Sequence, residues 1–456
     1  KSFVNGLFMY LSLKALGRSP AASCIGALAW MLSWALGHQT QTTYNEGVGL
    51  MPAVFFLTIR SYQSESRRKQ LIFGIIAAVF AGFQFLAGNI QMTVYSFVML
   101  FAFAVFYSWQ SRTWRPVVTL IVVYAAGILV GAVQLMSSYE LLGLSIRGVS
   151  QTHQNKGIEP YTSLSFLNPW IYFWRNFEFP ELRDKYWLTY RWNPFIGLIP
   201  LLGVGLALRF VKDHTARFIA FVSIGVYALL HILYFRPVFD VVSRIPGYDI
   251  IDQTRFLIVL PFPLVIVAAY GIDWLLDEGQ TRWRELRPIL ILASLVIPIM
   301  AALMIAGIMY FSSEKEAAAN LGDTFAEQRI KIGTDIIADY YHIKNPLFAV
   351  SFIFAAAGLA IVTGYARGNL SRKITEWMLI GAVAVEMVFF AQVNIASTPS
   401  DLIYPTTPAI EWLLQKSENE IFRIGAAPHD LYAGRETGNY SEYRNDHGWF
   451  LSSLLP

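Results

Sequence analysis

Residues 67–115 read RRKQLIFGIIAAVFAGFQFLAGNIQMTVYSFVMLFAFAVFYSWQSRTWR. Two apolar runs, 71–88 and 91–109, are joined by the tight turn Gly88-Asn89-Ile90-Gln91. Arg67, Arg68 and Lys69 precede the first run, and Arg112 and Arg115 follow the second. A bilayer core about 30 Å thick needs roughly 17–25 mostly apolar residues at helical rise, so each run is long enough to cross. Cations at both outer ends and none at the turn put the turn on one side of a membrane and the basic ends on the other.

The same alternation runs along the chain. Apolar segments lie at about 2–16, 20–37, 47–60, 71–88, 91–109, 117–137, 194–211, 218–235, 256–276, 289–311, 347–366 and 377–395. Six short loops between them hold 17 of the 35 Lys and Arg. These are Lys14/Arg18, Arg60/Arg67/Arg68/Lys69, Arg112/Arg115, Arg209/Lys212/Arg217, Arg282/Arg284/Arg287 and Arg367/Arg372/Lys373. Short basic loops stay in the cytoplasm, so this face is expected to be cytoplasmic. The third segment is short and opens on Gly47, Gly49 and Pro52, as a broken or re-entrant helix would. Leaving it out would invert the charge pattern of everything after it, so it is counted as a crossing. The expected fold class is therefore an all-α polytopic membrane protein of about 12 transmembrane helices over residues 1–395. A soluble exofacial domain would begin at 396–456, where Thr407-Pro408 has the form of a helix start and 421–424 that of a short strand. The chain opens on Lys1 and stops at Pro456, as expected of a fragment.

Composition agrees. Of 456 residues 55% are hydrophobic and only 14% charged, with a mean hydropathy of +0.45, which excludes an ordinary soluble enzyme. A net charge of +4 dispersed among loops is no nucleic-acid footprint. The single cysteine, Cys24, is expected to be a buried, inert thiol. The opposite, outer face carries long segments at about 138–193, 236–255 and 312–346 and everything after 396, with about 23 of the 31 carboxylates. Polar work is organised there. The run from Asn168 to Trp174, with Tyr186-Trp187, is too aromatic for a disordered linker and suits a platform at the headgroups.

No phosphate-binding loop, dinucleotide fingerprint, HExxH or Gly-x-Ser-x-Gly is present, and the seven His show no metal-ligand spacing. Candidate chemistry falls to polar groups at outer helix ends. Arg255, preceded by Asp249 and Asp252, opens a span at headgroup depth, where a guanidinium can grip a phosphate or simply pair with Asp252. Glu140 and Arg147 form either a base beside an anion clamp or a structural ion pair. Glu46 precedes the Gly-rich third segment as a general-base candidate or as an acid favouring the helix dipole. Asn89 and Gln91 can bond a sugar or headgroup, or cap their turn. Glu386, the one acid near the middle of a span, is either a cross-helix hydrogen-bonding group or a proton or substrate site.

Several short motifs, in order, resemble the YfhO-like bacterial membrane proteins. They are Leu13-Lys14-Ala15-Leu16-Gly17, Gly88-Asn89-Ile90-Gln91 with Tyr95, and Glu140 with Ser145-Ile146-Arg147. Pro246-Gly247 leading to Arg255-Phe256, Ala268-Ala269-Tyr270-Gly271, and the segment 408–424 follow; Ser137 departs, where Pro is expected. The resemblance implies a glycosyltransferase of the GT-C architecture in the bacterial cytoplasmic membrane. Such an enzyme takes a polyprenyl-phosphate-linked sugar and transfers it, on the outer face, to an envelope glycan, lipid or protein. It implies Gln91, Glu140, Arg147 and Arg255 as parts of the outer cavity, and a principal acid in a first outer loop upstream of Lys1. A divalent metal is compatible with such a site, with no ligand assigned. The rival classes are a transporter or flippase of a lipid-linked or polar solute, which would show inverted repeats and broken helices, and a non-catalytic membrane scaffold.

Overall fold

The computed structural model describes residues 2–33, 47–144, 194–298 apart from 234, 236, 239, 240, 242–252, 296 and 297, and 346–394. The chain divides into two compact units, one of residues 1–175 with 186–394 and one of 176–185 with 395–456. All described residues belong to the first. The outer aromatic platform and the helix and strand expected after Thr407 lie outside them.

Every described element is helical. In chain order they are α1 (Ser2–Ala15), α2 (Pro20–Met31), α3 (Met51–Gln63), α4 (Arg67–Leu86), α5 (Ile90–Ser111), α6 (Arg115–Val130) and α7 (Ala132–Leu144). They continue with α8 (Leu198–Phe210), α9 (His214–Ile232), a 3-10 turn (Gln253–Ile258), α10 (Pro261–Glu278), α11 (residues 283–295), α12 (Pro346–Ala366) and α13 (Arg372–Asn394). Among the described residues five helices are long and apolar enough to cross a membrane: Arg67–Leu86, Ile90–Ser111, His214–Ile232, Arg255–Glu278 and Arg372–Ala391. Shorter apolar helices cover Pro20–Met31, Leu198–Phe210 and Val350–Ala366.

Helix ends follow local chemistry. Ser19 caps α2 by accepting the Ala22 N–H at 3.1 Å, with Pro20 at the first helical position. Asp213 caps α9 through the Ala216 N–H at 3.0 Å. Gly88 takes φ +81° to close the turn between α4 and α5, a conformation other L-residues rarely adopt.

Contacts between helix ends draw the basic loops together. Arg18 Nη1 lies 3.4 Å from Asp273 Oδ2 at the end of α10. Tyr62 and Tyr107 bring the ends of α3 and α5 to 5.9 Å between ring centroids. Phe106 stacks on Phe218 at 4.3 Å, joining α5 to the start of α9. Arg282 lies over Phe210 and Trp274, which stack at 4.0 Å, and Arg372 Nη1 reaches Asp277 Oδ1 at 2.7 Å. Apart from α6 and α7, which form one bent segment, consecutive helices therefore run in alternating directions, with the basic loops at one end of the bundle. The third segment takes part: it is helical at 47–49 and again over α3, and it runs from the Asn89 turn to the basic end. The third segment is interrupted at Leu50, as expected, and a further break lies in the sixth segment, where α6 and α7 meet at 69° around Gly131.

At the centre is α10, whose residues Pro261–Leu276 are all buried. It packs on α8, α2 and α9. A helix apolar on all sides needs such a jacket. Between apolar helices in lipid the packing comes from close backbone approach at small residues. Here Gly271 of α10 meets the Gly203 carbonyl of α8, and a Cβ added at Gly203 would sit 2.8 Å from the Ala268 carbonyl oxygen. Ala81 and Gly82 of α4 cross Gly127 of α6 in the same way. Cys24 is half-buried, not fully buried as expected, because its side of α2 is only partly covered.

Candidate functional site

At the end opposite the basic loops, two residues 164 positions apart meet. Arg255 Nη1 donates to Gln91 Oε1 at 2.8 Å. Gln91 Nε2 in turn donates to the Tyr95 hydroxyl at 2.6 Å, one helical turn along α5. The Tyr95 and Phe256 rings lie 4.8 Å apart, so an aromatic contact packs beside the Arg255–Gln91–Tyr95 hydrogen-bond chain. Asn89 starts the helix that carries them: its Oδ1 accepts the Met92 N–H at 3.3 Å, the capping alternative of the two read from sequence. Arg255 is not in the first turn of an α-helix. It lies in the 3-10 turn before α10, which offsets it from the helix dipole that would oppose its charge. Arg255 and Gln91 are each half-buried.

Beneath this pair lies a support that the sequence reading missed. Gln84 of α4 is fully buried. Its Nε2 donates to the Gly47 carbonyl at 2.5 Å, its Oε1 accepts from the Tyr124 hydroxyl at 3.1 Å, and its backbone carbonyl accepts from Thr93 Oγ1 at 2.9 Å. One amide thus ties α4, α5, α6 and the start of the third segment together below the Asn89 turn. A polar side chain in the otherwise apolar run 71–88 was the available signal, since a buried amide must find partners.

The remaining candidates are placed unevenly. Glu140 is exposed on α7, beyond the bend, and among the described residues it forms no ion pair. Glu46, Arg147, Asp249 and Asp252 lie outside the described residues. Among the described residues no three His, Cys, Asp or Glu side chains gather in a metal-binding group.

Glu386 has a definite structural task. α8 begins at Gly197, which has no side chain to cap it and sits at φ +98°. Glu386 Oε1 accepts the Leu198 N–H at 2.7 Å and so supplies the missing cap from α13. In α13, which runs from Arg372 to Asn394, the acid lies near the middle of the helix, as the sequence suggests. Glu386→Ala is expected to cost about 2 kcal/mol by leaving a buried N–H without an acceptor. Glu386→Gln keeps the acceptor and should hold both thermal midpoint and activity. A Gln variant that keeps its midpoint but loses activity would instead assign the acid a proton role.

The basic end has its own polar anchor. Asp273, 7% exposed, accepts the Ser19 N–H at 3.0 Å and pairs with Arg18, whose guanidinium lies 3.7 Å from the Tyr270 ring centroid. This acid closes the start of α2 and neutralises a cation that would otherwise sit among buried rings. On the surface nearby, the Arg282 hydrogen bond holds the Glu285 carboxyl below its ordinary range.

A guanidinium carries its N–H donors in a planar fork whose geometry matches phosphate oxygens, and Arg255 gives one of them to Gln91. Gln91 orients it, and the aromatic pair shields one side. No protein-family model, curated protein or solved structure matches this chain.

Proposed function

We propose that this chain is the core of a GT-C-type membrane glycosyltransferase. It would span the bacterial cytoplasmic membrane about 12 times, with the Arg255–Gln91 end outside. The donor is a polyprenyl-phosphate-linked sugar and the acceptor an envelope glycan, lipid or protein hydroxyl. Arg255 holds the donor phosphate and stabilises the charge that grows on it as the glycosidic bond breaks. Gln91 and Tyr95 fix the guanidinium. An outer carboxylate, Glu140 or Glu46 in this chain or an acid upstream of it, takes the acceptor proton.

The observation that carries this reading is the Arg255–Gln91 hydrogen bond. It joins two residues singled out separately, at the end of the bundle away from the basic loops. The bend at Gly131 supports a second reading, since transporters and flippases of lipid-linked solutes use discontinuous helices. One assay separates the two. Full-length protein in sealed vesicles is given a radiolabelled polyprenyl-phosphate sugar. Label passing to a non-prenyl product is the expected result, whereas label still on the donor but moved to the other leaflet would support transport and refute transfer.

A further inference from the structure

Six basic loops share one end of the bundle, but their arginines are not equivalent. Arg18 is paired with Asp273, Arg282 with Glu278 and Glu285, and Arg372 with Asp277 and Glu376. Among the described residues Arg287 and Arg367 have no acidic partner. They line one groove of about 590 Å³ between α11 and α12. Their two loops, separate in sequence, therefore meet at the mouth of a cleft between helices.

The groove is graded in polarity. Toward the loops it presents Arg287, Arg367 and Asn369, with the Arg367 guanidinium 5.3 Å from the Trp283 ring centroid. Along the helices it presents Leu290, Ile291, Leu359 and Ala360, together with Thr363 and with Ser294, whose hydroxyl donates to the Ile291 carbonyl. Ile291 is half exposed, so the apolar wall opens outward from the bundle. Two cations above apolar side chains, with Trp283 beside Arg367 at the loop end, match the phosphate and first methylenes of a phospholipid. Basic pockets between transmembrane helices are places where anionic headgroups dock. The volume holds a headgroup and the first carbons of its chains rather than a whole lipid.

We propose that the α11–α12 groove binds the phosphate headgroup of an anionic phospholipid from the leaflet that faces the basic loops. The proposal rests on the bundle spanning a membrane, not on sugar transfer, and it concerns the end opposite Arg255. Arg287 and Arg367 would each donate to phosphate oxygens, Arg367 held in place by Trp283, while Leu290 and Leu359 receive the chains.

Native mass spectrometry of the detergent-purified protein tests this with phosphatidylglycerol, phosphatidylcholine and inorganic phosphate as probes. The wild type should retain phosphatidylglycerol and not phosphatidylcholine, and millimolar inorganic phosphate should not displace the lipid. Arg287→Gln/Arg367→Gln should lower retention about fivefold or more. Arg68→Gln/Lys69→Gln removes the same charge from exposed positions in another basic loop and should leave retention unchanged. Thermal midpoints confirm folding, and single Arg287→Gln and Arg367→Gln variants give the reading if the double variant is not recovered. Equal retention by the groove variants and wild type would overturn the proposal. So would equal loss in the control, which would mean diffuse charge, or displacement by inorganic phosphate, which would mean a soluble anion.

Discussion

Arg255→Ala in the full-length protein is expected to lower sugar transfer by about 100- to 1,000-fold, the range for removing one preorganised donor from a developing charge. The loss should lower kcat as well as raise KM, because the guanidinium that grips the donor phosphate also meets the charge that grows on it in the transition state. Arg255→Lys keeps the charge but loses the planar fork that engages Gln91 and a phosphate together, so it should recover only part of the rate. Gln91→Leu should slow transfer less than Arg255→Ala, since it frees the guanidinium without removing it. Folding is a separate matter. Arg255 is half-buried on a short 3-10 turn, so its removal should shift the thermal midpoint by no more than a few degrees. Transfer that survives Arg255→Ala would refute the phosphate assignment while leaving the fold untouched.

Gly271→Leu should prevent folding altogether. A Cβ at this position would overlap the Gly203 carbonyl and lie 2.9 Å from the Ala207 backbone nitrogen. Both obstacles are backbone atoms of α8, so neither can swing aside as a side-chain tip does. The only relief is to drive α8 from α10, and α10 is the helix buried on every side. The expected loss, above about 4 kcal/mol, belongs to the rare severe class of single substitutions. Gly205→Ala and Gly225→Ala are the contrast, because an added Cβ there meets nothing within 4 Å. They should be neutral or slightly stabilising through helix propensity. Recovery of monodisperse protein and the tryptophan-fluorescence midpoint in detergent would show the difference. A folded Gly271→Leu protein would mean that the α8–α10 crossing is looser than its geometry.

What was legible in the sequence was direction. Charge at loops needs no knowledge of packing, so Arg67 to Lys69, Arg112 and Arg115 could set the hairpin 67–115 without it. The logic that kept the third segment as a traverse agrees with the direction in which α3 runs. The bend at Gly131 was not legible. Glycine is tolerated within apolar helices, and nothing local distinguishes Gly131 from Gly127; both pack closely on α4, Gly127 against Ala81 and Gly82 and Gly131 against Phe85. Long-range partners were hidden for the same reason. Asp273 looks like one more loop-proximal acid until Ser19 and Arg18 arrive from 254 and 255 positions away. Glu386 makes the cross-helix hydrogen bond that was one of its two readings, but its partner is a backbone N–H, which no sequence pattern announces. Gln91 and Arg255 were each legible as polar groups at outer helix ends, but nothing in the sequence shows that they meet across 164 positions.

The central claim is that the Arg255–Gln91 end faces outside and the basic loops face the cytoplasm. Cysteine accessibility tests it most directly, starting from a cysteine-free background that includes Cys24→Ser. Ile90→Cys reports the Asn89 turn and Lys69→Cys a basic loop, and both positions are exposed. A membrane-impermeant maleimide applied to intact cells should label Ile90→Cys at once and Lys69→Cys only after the membrane is opened. Labelling of Lys69→Cys in intact cells with Ile90→Cys protected would contradict the orientation, and with it the outward-facing site.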